Sequence, residues 1–237
     1  VVRTWAFRDG DASSTPPPLQ YRASGFKEQV FAALDYIIWQ SGERNLRLVL
    51  PLLNYGTDGG GVAQYVRWAQ QGDVYAQQDG AHISAADASN WHPSDEKCPP
   101  FYSHPGARDI YQFMLRKVAT RENKYTLVAY RDDPTIMMWE LCNGCRCPDT
   151  NGDELHSWYE TMSKHLNRLA PRQLIATGGE GLMCSGAGGR CVDSRDLHPH
   201  LKVNGVATPN SIPNPIATKL GGGAKASQGL IDGTGLL

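Results

Sequence analysis

The sequence lacks a strong net charge and lacks any cluster of basic residues. Its 23 Lys and Arg are balanced by 24 Asp and Glu, for a formal net charge of −1. Because a nucleic acid or another polyanion needs a concentrated basic face, this balance argues against such a partner. Long apolar runs are also missing, since runs such as Leu48 to Leu53 are far too short to span a bilayer. We therefore predict no nucleic-acid partner and no membrane partner.

Motifs for nucleotide binding are missing as well. No G-x-G-x-x-G follows the first predicted strand, so a dinucleotide cofactor has no support. The glycine run Asp58-Gly-Gly-Gly61 lacks the Lys-Ser/Thr of a phosphate loop, and we interpret it as a flexible turn. The sequence predicts no cofactor. What is present is an ordinary globular composition, 41% hydrophobic, in a chain large enough for one sizeable core.

Hydrophobic periodicity predicts strands that alternate with helices. Helices are predicted where apolar residues form one stripe, at 27–41, 62–71, 109–121 and 153–169. Short apolar runs of strand length lie at 46–53, 135–141 and 173–177, and a further short run lies at the N-terminus. Strands that are apolar throughout and alternate with helices favour a parallel sheet covered on both faces. The fold class is therefore α/β, either a barrel or a doubly wound sheet.

Two stretches interrupt this pattern. Residues 72–105 form a long connection with little periodicity, and a connection of that length is usually functional or an elaboration. From Cys184 to Leu237 the composition shifts to Gly, Ser, Pro and Asn with few aromatics. We predict a domain over 1–183 followed by an irregular, low-complexity or disordered tail over 184–237.

The cysteines admit several interpretations. There are six, at Cys98, Cys142, Cys145, Cys147, Cys184 and Cys191. An even number suits a secreted protein with disulfides but does not establish one. The cluster Cys142-Asn-Gly-Cys-Arg-Cys147 also suggests zinc, but a structural zinc site usually needs two separated pairs of ligands, and the last two cysteines are spaced too widely for a second pair. We predict no metal site and favour free thiols or a local disulfide.

Polar residues at the ends of the predicted strands are the candidates for a site, because active sites of parallel α/β barrels lie at the C-terminal ends of the strands. These residues are Arg3, Trp5, Asn54, Glu140, Asn143 and Glu180. Trp5 offers a flat ring on which the apolar face of a sugar packs, although the residues alone favour a core position. Arg3 within a strand indicates a buried, paired guanidinium, in a site or in a structural ion pair.

Several motifs, in order along the chain, resemble those of one enzyme family. They are Arg3-Thr-Trp-Ala-Phe-Arg-Asp-Gly10, Val30–Ile38, Leu48–Asn54, Gln64–Ala69, Tyr130–Leu141, Gly152–Leu155 and Gly179–Gly181. Over about residues 1–182, the chain resembles family 5 glycoside hydrolases of the plant and fungal endo-β-mannanase branch. The first motif is similar to the family's second-strand motif.

This resemblance implies a (β/α)8 barrel and retaining hydrolysis of internal β-1,4-mannosidic bonds in mannan-type polysaccharides. Retaining enzymes use two carboxylates about 5–5.5 Å apart, one as acid/base and the other as nucleophile. The resemblance also implies a secreted protein whose partner is mannan. It implies that Arg3, Trp5, Asn54 and Asn143 bind the substrate.

The chain departs from the family at the acid/base position. The family's Trp-Glu-Leu-x-Asn-Glu-Pro-Arg corresponds here to Trp139-Glu-Leu-Cys-Asn-Gly-Cys-Arg146. Gly144 therefore takes the place of the acid/base Glu, and Cys145 takes the place of the Pro. Glycine cannot transfer a proton, and general acid catalysis typically supplies ~10²–10⁴-fold in rate. Glu140 lies inside the strand, and we expect it to support the site from behind or to line the core.

The matched motifs run only from the family's second strand to about its fifth, whereas a full barrel needs ~250 residues. Nothing after Cys184 resembles the family's seventh strand, which carries the nucleophile, and Glu180 corresponds to the end of the fifth. We expect residues 1–183 to form a partial glycoside hydrolase barrel in a fragment of a longer protein. Three hypotheses follow: a mannanase that is intact only in a longer chain, an inactive mannan-binding or vestigial protein, or an unrelated α/β protein that binds metal. The oligomeric state stays open.

Overall fold

Parallel strands form the central sheet of the protein. The computed structural model describes residues 1–71, 97–147 and 153–179, together with the backbone of 182–184 and 191–193. The sheet contains β1 (Val2–Arg3), β4 (Leu48–Pro51), β5 (Ile136–Glu140) and β6 (Leu174–Ala176), in the order β1-β4-β5-β6. Every neighbouring pair in it is parallel. The predicted strands are therefore confirmed, and all four end at the same edge of the sheet.

The helices lie between these strands along the chain, as periodicity predicts. They are α1 (Glu28–Glu43), α2 (Gly61–Gln70), α3 (Pro105–Ala119) and α4 (Asp153–Leu169). The bounds of α4 agree with the prediction, because Leu155, Trp158, Met162 and Leu166 form one buried stripe. Helix α3 begins four residues before the predicted Asp109. It starts at Pro105, and the imidazole of His104 caps it by accepting from the amide of Ala107 at 3.4 Å.

Short elements that the sequence did not predict complete the fold. Antiparallel pairs join β2 (Gln20–Arg22) to β3 (Gly25–Phe26) and β7 (Leu182–Cys184) to β8 (Cys191–Asp193). Single 3-10 turns cover Pro100–Tyr102 and Tyr130–Asp132. The backbone of β7 and β8 places the start of the predicted tail in a hairpin. The predicted disorder of the later tail concerns residues 194–237, which lie outside the described residues.

The core lies between the sheet and the helices and is rich in aromatic rings. Phe101, Tyr102, Tyr111 and Trp158 are fully buried and pack ring against ring, with centroids 5.4–5.9 Å apart. Such offset and edge contacts add to the free energy that burial alone contributes. Trp139 of β5 is fully buried, and its indole donates to the side chain of Gln173 at 2.6 Å. This core holds β4, β5 and β6 in register and so fixes the edge at which they end.

No helix within the described ranges is long and apolar enough to cross a membrane. Asp58, Gly59 and Gly60 form the predicted turn, and Gly61 is the first residue of α2. The flexibility of the turn is a separate matter that remains a prediction.

Candidate functional site

The carboxyl edge of the sheet brings together four of the predicted site residues, Arg3, Asn54, Glu140 and Asn143. The guanidinium of Arg3 donates from Nε to Oε2 of Glu140 at 2.9 Å, and its Nη2 lies 2.7 Å from the same oxygen. Nη2 also donates to Oδ1 of Asn143 at 2.7 Å. Arg3 is therefore paired, as predicted. Its predicted burial is wrong, because 42% of the side chain is exposed at the open end of the strand.

Asn143 is held on both sides of its carboxamide. Its Nδ2 donates to Oδ1 of Asn54 at 3.0 Å while its Oδ1 accepts from Arg3. The backbone supports the same position, since the Asn143 amide donates to the Leu53 carbonyl at 2.8 Å and the Tyr55 amide donates to the Asn143 carbonyl at 3.1 Å. Asn143 is thus positioned by Arg3 of β1 and by the residues that follow β4, which are Leu53, Asn54 and Tyr55.

Asn54 has a different role in this arrangement. The residue is only 6% exposed, and its Nδ2 donates to the carbonyl of Asp58 at 3.0 Å. Both ends of its carboxamide are therefore occupied, one by Asp58 and the other by Asn143. Asn54 fixes the orientation of Asn143 from below the surface.

Glu140 ends β5 with 12% of its side chain exposed. Its carboxylate faces Arg3 across the sheet. The expected role of Glu140 in supporting the site stays a prediction. Burial raises the pKa of the Tyr159 hydroxyl, and the negative charge of Glu140 raises it further. The neighbouring phenol therefore stays neutral and is no candidate for a phenolate base at ordinary pH.

Trp5 lies on the surface, with 49% of the residue exposed. The core interpretation is wrong for a simple geometric reason. Side chains alternate along an extended segment, so Trp5 shares the face of Arg3 while Ala6 points inward and is buried. The indole stacks on Phe7 with ring centroids 5.0 Å apart. This contact holds the ring in place and leaves much of it open to solvent.

Gly144 follows Asn143 in a left-handed backbone conformation, with φ of 70°. Its amide donates to the carbonyl of Gly178 at 2.9 Å, and the Cys142 amide donates to the Thr177 carbonyl at 3.0 Å. The segment after β5 is therefore fastened to the segment after β6. Gly144 has no side chain, and its backbone is in a region that other residues enter at a cost.

Disulfides hold this segment. Cys142 pairs with Cys145, and Cys98 pairs with Cys147. The local disulfide considered for the cluster is confirmed, and the free-thiol alternative is wrong for these four residues. The zinc interpretation is also wrong for them, because a disulfide sulfur is not the thiolate that zinc needs. Within the described ranges, no group of three or more His, Cys, Asp and Glu side chains is arranged to hold a metal ion.

Asp9 is a residue that the sequence did not single out. It is fully buried after β1, and burial raises the pKa of its carboxyl well above the ordinary value. Hydrogen bonds from the Gly61 amide and the Tyr65 side chain act in the opposite direction, and Oδ2 has no hydrogen-bond partner among the described residues. The signal was a carboxylate inside the first family motif. Glu180, the remaining candidate, lies outside the described residues.

Comparison with known proteins identifies the family. The family model described as GH family 5 beta-mannosidase-like matches residues 2–196. The chain belongs to glycoside hydrolase family 5. Among curated relatives, mannan endo-1,4-beta-mannosidase 8 of Oryza sativa subsp. japonica is 37% identical over 182 residues, which are 76% of this chain and 43% of the relative. Mannan endo-1,4-beta-mannosidase 1 of Solanum lycopersicum is 37% identical over 182 residues, 76% of this chain and 40% of that one.

Solved structures of this family confirm the predicted fold. The endo-beta-1,4-mannanase from Thermotoga petrophila superposes with a TM-score of 0.63 at 29% identity, over 79% of this chain and 38% of that chain. The endo-1,4-beta-mannanase from Rhizomucor miehei gives a TM-score of 0.60. The parallel sheet and its helices therefore form part of a (β/α)8 barrel, as predicted. The chain spans less than half the length of the family 5 relatives that it matches.

Proposed function

We propose that the carboxyl edge of this sheet binds a β-1,4-linked mannan-type polysaccharide and that the chain does not hydrolyse it efficiently. The observation that carries the proposal is Gly144. Next to a fully positioned Asn143, the family's acid/base carboxylate is replaced by a residue that has no side chain.

Binding is supported by the exposed groups at this edge. Trp5 presents a half-exposed indole, held by Phe7, against which the apolar face of a sugar ring packs. Arg3, two residues before Trp5, has 42% of its side chain exposed, and its Nη2 donates to Asn143 at the same edge of the sheet. A flat apolar ring flanked by a few fixed polar groups is a usual composition for a carbohydrate site. Asn54 contributes indirectly, through its hydrogen bond to Asn143.

Loss of hydrolysis follows from the carboxylates. A retaining glycosidase needs an acid/base and a nucleophile about 5–5.5 Å apart on either side of the bond that is cut. Glu140 does not replace the missing acid, because its carboxylate is engaged by Arg3 at 2.9 and 2.7 Å and belongs to the strand itself. Without a general acid the rate is expected to fall by ~10²–10⁴-fold from that step alone.

The family match favours a second candidate, in which the protein hydrolyses internal β-1,4-mannosidic bonds by the retaining mechanism. The relatives' names describe this activity for proteins more than twice as long as the matched segment. Two disulfides favour a secreted, oxidising environment for either candidate, since disulfides persist there. We propose a secreted protein in both cases.

One experiment separates the two candidates. The chain is titrated with mannohexaose and with galactomannan, and new reducing ends are counted in the same samples. Binding without new reducing ends supports the proposal, and sustained release of reducing ends supports hydrolysis instead. Trp5→Ala should weaken binding by roughly tenfold or more, in line with the loss of one well-placed stacking contact.

The matched control for this variant is Tyr36→Ala on α1. Tyr36 is 49% exposed, as Trp5 is, but it lies on an outer helix against Trp39 and Tyr125. Its removal should leave mannan affinity unchanged. Equal losses in the two variants would show that the Trp5 ring has no special part in binding.

A further inference from the structure

The disulfide between Cys142 and Cys145 encloses the residues at the centre of the proposed site. Only two residues, Asn143 and Gly144, lie between the two cysteines in sequence. The disulfide therefore closes a small ring that contains these two residues. Both cysteines are buried, at 0% and 3% exposure, beneath the open edge that carries Arg3 and Trp5.

Each residue in this ring is also fastened to a neighbouring strand end. Cys142 donates through its amide to Thr177 at 3.0 Å, Asn143 to Leu53 at 2.8 Å, and Gly144 to Gly178 at 2.9 Å. These bonds reach β4 on one side and β6 on the other. The segment that makes them turns at Gly144, whose φ is 70°.

The cysteine at position 145 permits that turn. A proline there would steer Gly144 away from helical backbone conformations and toward extended ones. Cys145 removes this restriction, and its bond to Cys142 closes the turn covalently. Asn143, which directly precedes this turn, accepts from Arg3 at 2.7 Å and donates to Asn54 at 3.0 Å through its carboxamide.

We propose that the Cys142–Cys145 disulfide is the positioning element of the Asn143 carboxamide and makes mannan binding depend on the redox state of the chain. The inference rests on the proposed function, because it concerns the affinity of the same site. Cys142 and Cys145 do not touch the sugar. They act by fixing the position of the Asn143 carboxamide.

Opening the ring is a simple exchange with a dithiol. The dithiol's thiolate attacks one sulfur, the Cys–Cys bond breaks, and a mixed disulfide forms. The second thiol then displaces the remaining cysteine, so the dithiol leaves as a disulfide and the protein holds two thiols. Two electrons and two protons pass to Cys142 and Cys145. The turn at Gly144 then depends on its hydrogen bonds alone.

The test measures mannohexaose affinity and amide exchange in the oxidised chain and in the chain reduced by dithiothreitol. Alkylation and peptide mass spectrometry establish which cysteines have become thiols. Reduction at Cys142 and Cys145 should weaken mannohexaose binding by roughly three- to tenfold, as expected for a misplaced hydrogen-bonding group. Reoxidation should restore the affinity. The amides of Asn143 and Gly144 should exchange roughly tenfold faster on reduction, while those of Leu50 and Trp139 do not change.

Two variants act as controls. In Cys142→Ser/Cys145→Ser, affinity should be low at the outset and should not respond to dithiothreitol. In Cys98→Ser/Cys147→Ser, the small ring remains, so affinity should still fall on reduction. If this control does not fold, the response of Cys142→Ser/Cys145→Ser to dithiothreitol still decides the question, because that variant keeps the Cys98–Cys147 disulfide.

The outcomes are distinguishable. If the oxidised chain fails to bind mannohexaose, the proposed function is wrong, and faster exchange at Asn143 and Gly144 alone still supports the positioning role. If Cys142 and Cys145 are shown to be thiols while affinity and both exchange rates are unchanged, the proposal is overturned. Uniformly faster exchange throughout the sheet would also overturn it, because the disulfide would then be a general stabiliser.

Discussion

The amide of Gly144 donates a hydrogen bond of 2.9 Å to the carbonyl of Gly178, and both glycines have left-handed backbones, with φ of 70° and 74°. Gly144 stands where the family's acid/base Glu is expected, and Gly178 follows β6. The bond therefore joins the segment after β5 to the segment after β6 at two glycines.

Gly178 should tolerate no side chain. A Cβ added there would lie 2.1 Å from the carbonyl oxygen of Cys142, and the left-handed φ disfavours any other residue. We expect Gly178→Ala to lower the free energy of unfolding by roughly 2–4 kcal/mol, measured by urea denaturation. Gly179→Ala is the matched control, because a Cβ there meets only Thr177 Oγ1 at an ordinary 3.7 Å. Equal, small effects of the two variants would contradict the close contact with Cys142.

Gly144→Glu should not restore hydrolysis. At φ of 70° a glutamate costs about 1–2 kcal/mol, and the turn aims its side chain differently from an extended strand end. We expect lower stability in urea and no release of reducing ends from mannohexaose. Gly144→Asn should be less destabilising, because asparagine enters the left-handed region more readily. A Gly144→Glu variant that is as stable as the parent and cuts mannohexaose would show that the backbone imposes no barrier.

Asp9→Asn should change how stability depends on pH. Burial raises the pKa of Asp9 in the folded state well above its ordinary value, so the folded chain keeps this proton to higher pH than the unfolded chain. Stability is then lost as pH rises from the unfolded pKa to the folded one, by roughly 1.4 kcal/mol for each unit between them. The Asn variant does not titrate. Its stability relative to the parent should therefore increase from pH 4 to pH 8 in urea unfolding.

The control for this variant is Asp11→Asn, at an exposed position in the following segment. The difference in unfolding free energy between this variant and the parent should stay constant across the same pH range. If the parent instead gained stability over Asp9→Asn as pH rose, Asp9 would be a stabilised anion and the effect of burial would be refuted.

Arg121 should be important for stability, far from the site. It pairs with the fully buried carboxylate of Asp35 at 2.6 Å and with the exposed carboxylate of Glu28 at 2.6 Å. Arg121→Met leaves Asp35 buried without its cation, and we expect a loss of about 3–5 kcal/mol in unfolding free energy. Glu28→Gln, in which the removed charge is 76% exposed, should cost about 1 kcal/mol or less. Similar costs for the two variants would mean that burial of Asp35 does not govern this network.

Much of the fold followed from the sequence because its signals are periodic. The stripe from Leu155 to Leu166 determines α4, and the apolar run before Asn54 determines β4. The start of α3 was missed because Pro105-Gly-Ala has no apolar stripe and depends on a histidine cap. The pairs β2–β3 and β7–β8 were missed because strands of two or three residues carry no readable alternation.

Part of the site is predictable from the sequence, because the carboxyl ends of parallel strands lie at the same edge of the sheet. Arg3, Glu140 and Asn143 meet for that reason, although they are far apart in sequence. Residue type alone favours a core position for Trp5, but its alternation with Arg3 puts it on the surface, and the substrate-binding role that the resemblance implies stays a prediction. The disulfide pairing could not be deduced, because the positions of cysteines do not fix which of them are joined. The left-handed turn at Gly144 depends on that pairing and on Gly178, so it became visible only in three dimensions.

The most direct test of the account is the fate of mannohexaose bound to the oxidised chain. Binding is measured by calorimetry, and after prolonged incubation the products are analysed by mass spectrometry. We predict saturable binding that Trp5→Ala weakens, with the hexasaccharide recovered intact. Shorter mannooligosaccharides that appear in proportion to the amount of chain, and at the same rate in independent preparations, would contradict it.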